Sequence, residues 1–203
     1  MNKVLTTVLA AAVTGSLVGG CAAFRSSVSE KEPGTTAPMT ARYDQSDLLT
    51  WGKVMAKDIL SHPFPPPADK NPIMVVMGIQ NRTASHIDMK SITDTMSTDL
   101  MNAGIRFVNE ARRDDLMKEQ GFQLANATPE TRVQIGKQLG AKYMLTGSLV
   151  EIKTESGRQV RVSKQEDIYY QLTVEITDIE TGLIVLRKQE DRLRRASKPL
   201  IGW

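Results

Sequence analysis

"PIMVVMGI", residues 72–79, runs for eight residues without a charge or a hydroxyl in a chain of 203 residues of which 24% are charged. An apolar run of that length, bounded by a proline and rich in β-branched and Met side chains, fits a strand buried on both faces, since a strand with one wet face alternates. Burial on both faces requires one layer above the sheet and another below it. The segments on either side supply candidates for those layers. In "SDLLTWGKVMAKDIL", Leu48, Trp51, Met55 and Ile59 recur at helical spacing, with Ser46 or Asp47 as the N-cap and the prolines of 63–67 as the stop. After the apolar run, "IDMKSITDTMSTDLMNAG" repeats the pattern through Met89, Ile92, Met96 and Leu100, with Asp88 as cap and Gly104 beyond the end.

The remaining elements follow from the same signals. "IRFV" (105–108) is a short strand, and "EARRDDLMKEQG" (110–121) is a helix that Gly121 ends. Thr128 before Pro129, with Gly140 after, frames a fourth helix. "AKYMLTGSLVEI" (141–152) is a strand in which Gly147 marks a bulge or a close approach of backbone. "IYYQLTVEITD" (168–178) alternates: Tyr170, Leu172, Val174 and Ile176 share one face and Gln171, Thr173, Glu175 and Thr177 the other. "IETG" (179–182) is a turn into an antiparallel partner, "LIVLRKQEDRL", and "SGRQ" (156–159) is the other hairpin tip. Helix, strand, helix, strand, helix, helix and three strands make an α/β domain, a single mixed-sheet sandwich with flanking helices, over residues 46–195, with 196–203 as a tail.

The N-terminus has a different character. Lys3 precedes fifteen uncharged residues, Val4 to Val18, which is short for a membrane span and right for a signal-peptide core. Gly19 and Gly20 then lead into Cys21, the only cysteine, so no internal disulfide exists. This stretch resembles a bacterial lipoprotein signal. The resemblance implies that residues 1–20 are removed and that Cys21 is the lipidation site, with no Asp after it to suggest inner-membrane retention. Residues 21–45 follow as a linker rich in Ser, Thr, Ala and Pro, about 80 Å long at full stretch.

Little in the chain suggests catalysis. His62 lies among prolines and His86 in a polar loop, neither with metal-ligand spacing, and no phosphate-binding or nucleophile-elbow motif is present. The acidic pairs Asp114–Asp115 and Glu166–Asp167 read as solvated surface, and "NRT" (81–83) reads as an Asx turn at the strand end. Arg187, Lys188, Arg192, Arg194, Arg195 and Lys198 cluster near the C-terminus, but the net charge is only +3, and the cluster reads as a solvated or membrane-facing tail without nucleic-acid binding. No catalytic residue, metal or cofactor is expected.

Four segments in order, "IMVVMGIQNRT", "FVNEARRDDLMKEQ", "LGAKYMLTGSLVEI" and "YYQLTVEITDIETGLIVLRK", together with the lipoprotein signal, resemble the LpoB family of outer-membrane lipoproteins. The resemblance implies a fold like the N-terminal domain of TolB. It also implies a non-catalytic activator of a bifunctional, class A penicillin-binding protein, held in the outer membrane by its lipid and facing the periplasm, with no small-molecule substrate. A subunit of an outer-membrane secretion complex similar to the curli-export lipoprotein is the alternative. The short charged stretch "KTESGRQVRVSKQED" argues against it, because a channel needs long transmembrane hairpins. The loop 81–88, leaving a buried strand, is the expected docking side. Arg82 is expected to make the central contact, with Thr83, His86 and Asp88 beside it; a purely structural loop is the competing reading.

Overall fold

The computed structural model describes residues 40–67, 69, 71–121, 126–155 and 163–199, together with the single positions 30, 32, 37 and 38. The signal segment, Cys21, most of the linker and the 156–159 hairpin tip fall outside the described residues. The described elements, in order, are α1 (Gln45–Leu60), β1 (Ile73–Arg82), α2 (Met89–Asn102), β2 (Arg106–Phe107), α3 (Glu110–Glu119), α4 (Pro129–Gln138), β3 (Tyr143–Glu155), β4 (Ser163–Asp178) and β5 (Ile184–Pro199). They form a five-stranded sheet in the order β2-β1-β3-β4-β5, parallel across β2, β1 and β3 and antiparallel from there. The expected order and the mixed sheet are both observed.

The two-sided burial of β1 places a core on each face. Met74, Val76 and Ile79 point to one side, where Trp51, Met55 and Ile59 of α1 and Ile92, Met96 and Leu100 of α2 meet them. Val75 and Met77 point to the other, against Met117 of α3 and Ile135 of α4. β4 contributes to the first side only, with Tyr170, Leu172, Val174 and Ile176 all buried as its alternation requires. Trp51 lies between Tyr43 and Tyr170, both at 5.6 Å between ring centroids. The two helices on this side touch at Gly52, where a Cβ would stand 2.6 Å from the Thr95 side chain.

Local signals agree with the reading at most ends. Thr128 caps α4 with Pro129 in its first turn, Asp88 caps α2, and Gly182 takes the positive φ of the β4–β5 turn. Two details differ, and the alternative left open at Gly147 is decided. The cap of α1 is Asp44, not Ser46 or Asp47: Asp44 accepts from the Ser46 amide at 2.9 Å, while Asp47 reaches back to the Asp44 amide at 2.9 Å and closes a capping box. The bulge lies on β1, between Val76 and Ile79, where Gly78 has φ 87°; Gly147 opposite it is the close approach, its hypothetical Cβ only 2.4 Å from the Thr173 carbonyl. Finally, β5 continues to Pro199, four residues beyond the boundary expected at 195.

Candidate functional site

β1 ends in a tight polar loop whose geometry Asn81 sets. Its side-chain oxygen accepts from the Thr83 amide at 2.9 Å, and its amide nitrogen donates to the Ser85 carbonyl at 2.9 Å, which is the Asx turn expected there. The Thr83 hydroxyl lies 2.7 Å from that Asn81 oxygen and 2.9 Å from the Ser85 carbonyl. Asp88 closes the loop as the cap of α2, accepting from the Lys90 amide at 3.0 Å and from the Ser91 hydroxyl at 2.5 Å. The Ser91 hydroxyl, followed by the amides of the first turn, holds the Asp88 carboxyl below the usual carboxylate range. Thr83 and Asp88 therefore spend their polar atoms on the loop itself.

Arg82 and His86 present differently. Both are exposed, and Arg82 is steadied by Gln80, whose Oε1 accepts from Nη2 at 2.8 Å and from Nε at 3.2 Å. That bond pre-orders a long side chain and leaves most guanidinium donors facing out. Arg82 and Arg132 line one open cleft of about 540 Å³ with Met77, Gly78, Ile79 and Asn81. Arg132 is anchored by the Ala127 carbonyl at 3.2 Å. The cleft opens at the C-terminal end of β1, where α2 departs to one face and α3 and α4 cover the other, the usual ligand position in open α/β sheets. Lys90 beside it is neutralised by Asp94 at 2.9 Å and Glu110 at 3.0 Å.

Sequence reasoning missed two arginines that build this corner. Arg132 carries no local signal, since its helix is short and weakly patterned. Arg113 is buried, paired with Asp114 at 2.8 Å, and donates to the carbonyl of Val76, the last residue before the bulge. It pins α3 to the irregular part of β1. The signal was the conjunction of Gly78 in an apolar strand with a basic residue on the inner face of α3, the second helix after it.

The basic and acidic clusters also need correction. Arg192 and Arg194 are not a solvated tail: they lie on the helix-covered face of β5 and both reach Asp47, which is 0% exposed. Arg194 also meets Asp44 at 3.2 Å and the Ser46 hydroxyl at 2.9 Å, and Arg192 stacks over Trp51 at 5.7 Å. Arg195 pairs with Asp167 at 2.7 Å and Arg187 with Glu175 at 2.8 Å. Glu166 is buried rather than solvated, 2.8 Å from Lys153. The N-terminal helix and the last strand are thus joined by a buried ionic cluster.

Among the described residues no three metal-ligating side chains converge, and no helix is long and apolar enough to cross a membrane. A family model described as peptidoglycan-synthase activator LpoB matches residues 47–191. Among solved structures, the LpoB C-terminal domain from Salmonella enterica is similar at TM-score 0.55 and 17% identity, over 70% of this chain and 97% of that one. The same domain from Escherichia coli gives TM-score 0.52 and 17% identity over the same shares. The NMR structure of E. coli LpoB gives 0.51 and 17%, over 85% of this chain and 77% of that one. No curated protein is matched by sequence.

Proposed function

Since this chain belongs to the LpoB family of peptidoglycan-synthase activators, we propose that it works as a lipid-anchored outer-membrane protein whose domain docks, through the 81–88 side, on the periplasmic part of a class A penicillin-binding protein. It acts on a synthase without being an enzyme, and the family match favours the activator over the secretion-complex alternative. Activation of this kind needs only that the activator bind the active conformation of the synthase better than the inactive one. The observation that carries the docking side is the pre-ordered, exposed Arg82 guanidinium at the sheet's C-terminal end, sharing a cleft with Arg132. An acidic partner surface would find two fixed cations there and receive charge-assisted bonds. Thr83 and Asp88 contribute by holding the loop, and His86 by its exposed ring.

Two measurements test this reading. Arg82→Ala should weaken synthase binding by about 2 kcal/mol, roughly 30-fold, and reduce stimulation of polymerisation correspondingly. Lys118→Ala, on exposed α3, should bind as the parent does. Unchanged affinity of a folded Arg82→Ala protein would move the interface elsewhere. For the anchor, Cys21→Ser should abolish incorporation of a palmitate analogue during growth and leave an uncleaved or unlipidated chain. Label retained on the serine variant would exclude Cys21 as the attachment site.

A further inference from the structure

β5 is a sixteen-residue strand at the end of the sheet, paired only with β4 among the described residues. Long open edges invite pairing with another strand, and charges along them usually prevent it. Here the charges are arranged in a self-complementary order. Counting outward from Gln189, Lys188 and Glu190 stand one position away on either side, Arg187 and Asp191 two positions, and Val185 and Leu193 four. An antiparallel strand related by a two-fold axis at Gln189 pairs each residue with the one equally far on the other side. Lys188 then meets Glu190 of the second copy and Arg187 meets Asp191, while Leu186 and Arg192, three positions out, are turned to each copy's own core and to Asp47. Every charged pair within two residues of the axis is opposite in sign. A shift of the axis by one residue to Glu190 instead sets Glu190 against itself and Lys188 against Arg192, like against like.

Apart from Arg187, which pairs with Glu175 at 2.8 Å, the charged side chains concerned have few partners within one chain. Among the described residues, Lys188, Glu190 and Asp191 make no ion pair; Asp191 has the amides of Gln171 and Gln189, at 3.1 and 3.3 Å, and the Tyr169 hydroxyl, and Lys188 meets the His62 ring at 3.1 Å. Val185 and Leu193 are 46% and 64% exposed, and with Leu183 and Ile184 they make four of the seven exposed large hydrophobic side chains among the described residues. Arg187, Asp191 and Leu193 alternate onto the sheet face that the helices on α1's side do not cover, as their register with Glu175, Gln171 and Tyr169 requires, while Val185 lies at the register shift near the start of the strand. We propose that β5 is a homodimer edge, and that two copies of this chain join β5 to β5 antiparallel about Gln189 into one continuous sheet. The two halves supply four cross-copy ion pairs, two in each half, and the backbone ladder supplies the remaining bonds.

Residues facing each other across an antiparallel pair have Cα atoms roughly 4.5–5.5 Å apart, inside the range a disulfide spans. Gln189→Cys, introduced into the full-length chain, should therefore oxidise rapidly to a covalent dimer with copper phenanthroline in detergent. The parent chain and Gln134→Cys, on exposed α4, serve as controls for Cys21 and for random collision. Adding Arg187→Asp should reduce the cross-linked fraction at least tenfold, and adding Asp191→Arg to that variant should restore it. Light scattering on the parent chain should give twice the monomer mass. Cross-linking no faster than with Gln134→Cys, cross-linking indifferent to the charge reversals, or, in membranes, capture of a heavier protein in place of a second copy would each overturn the proposal. Circular dichroism confirms that each variant remains folded, and a variant that unfolds is replaced by Lys188→Glu with Glu190→Lys, for which the same loss and recovery are expected.

Discussion

Val174→Asp is expected to abolish folding of the domain, while Thr173→Asp, one residue earlier, leaves it folded with a melting temperature a few degrees lower. Val174 is 1% exposed and sits with Leu172 and Ile176 in the core beneath α1 and α2. A carboxyl group there has no partner, so it is desolvated whether charged or neutral, and the lost packing adds to the cost. Several kcal/mol is a large part of the roughly 5–15 kcal/mol that holds a domain folded. Thr173 points to the opposite, half-open face. Thermal melts followed by far-UV circular dichroism separate the two, and equal midpoints would refute the register of β4.

Asp47→Ala should cost about 3–5 kcal/mol, because it strands two guanidinium groups in a site built around one buried carboxylate. By contrast, Arg195→Ala, whose ion pair with Asp167 is largely exposed, should cost less than about 1 kcal/mol. Urea denaturation gives both values. Replacing Asp47, Arg192 and Arg194 together with Leu, Met and Met should recover most of the loss, since a buried ionic cluster often gains little over apolar packing of the same volume. A triple variant no more stable than Asp47→Ala would show that the cluster's hydrogen bonds, not its charge balance, carry the energy. The same cluster links folding to acid. Burial opposes ionisation of Asp44, but the Ser46 hydroxyl and Arg194 outweigh it and lower its pKa. A depressed folded value adds stability above the unfolded carboxylate pKa of about 3.9 and loses it as pH falls through the folded value, so midpoints should drop in that acid range.

Most of the fold was legible because each element carries redundant local signals. Thr128, Pro129 and Gly140 frame α4 without help from the rest of the chain, and the alternation from Tyr170 to Ile176 admits only one register. What escaped depended on partners far away in sequence. Asp44, Ser46 and Asp47 can each cap a helix; Asp44 takes the cap and Asp47 the third turn position once Arg194 binds both. Arg192 and Arg194 look like solvent-facing charges until Asp47, some 145 residues earlier, is found beneath them. Gly147 read as a bulge or a close approach because a strand glycine signals irregularity without saying which strand carries the bulge; it is the close approach, and the bulge lies opposite on β1. At the candidate docking side, polarity located the loop, but only the hydrogen bonds separate the residues that hold it, Thr83 and Asp88, from the outward Arg82 and His86.

The capping box and the two arginines beyond it define a path for mechanical load. α1 runs antiparallel to β5, with Asp47 at Arg192 and Arg194 near one end and His62 at Lys188 near the other. A pull at residue 44 directed along the helix axis would pass through the guanidinium forks into the last strand, parallel to that strand's length. The β4–β5 ladder then resists in shear, with many rungs loaded at once, rather than peeling open rung by rung. A domain joined in this way can be tugged from its N-terminal side while its remaining surfaces keep their shape.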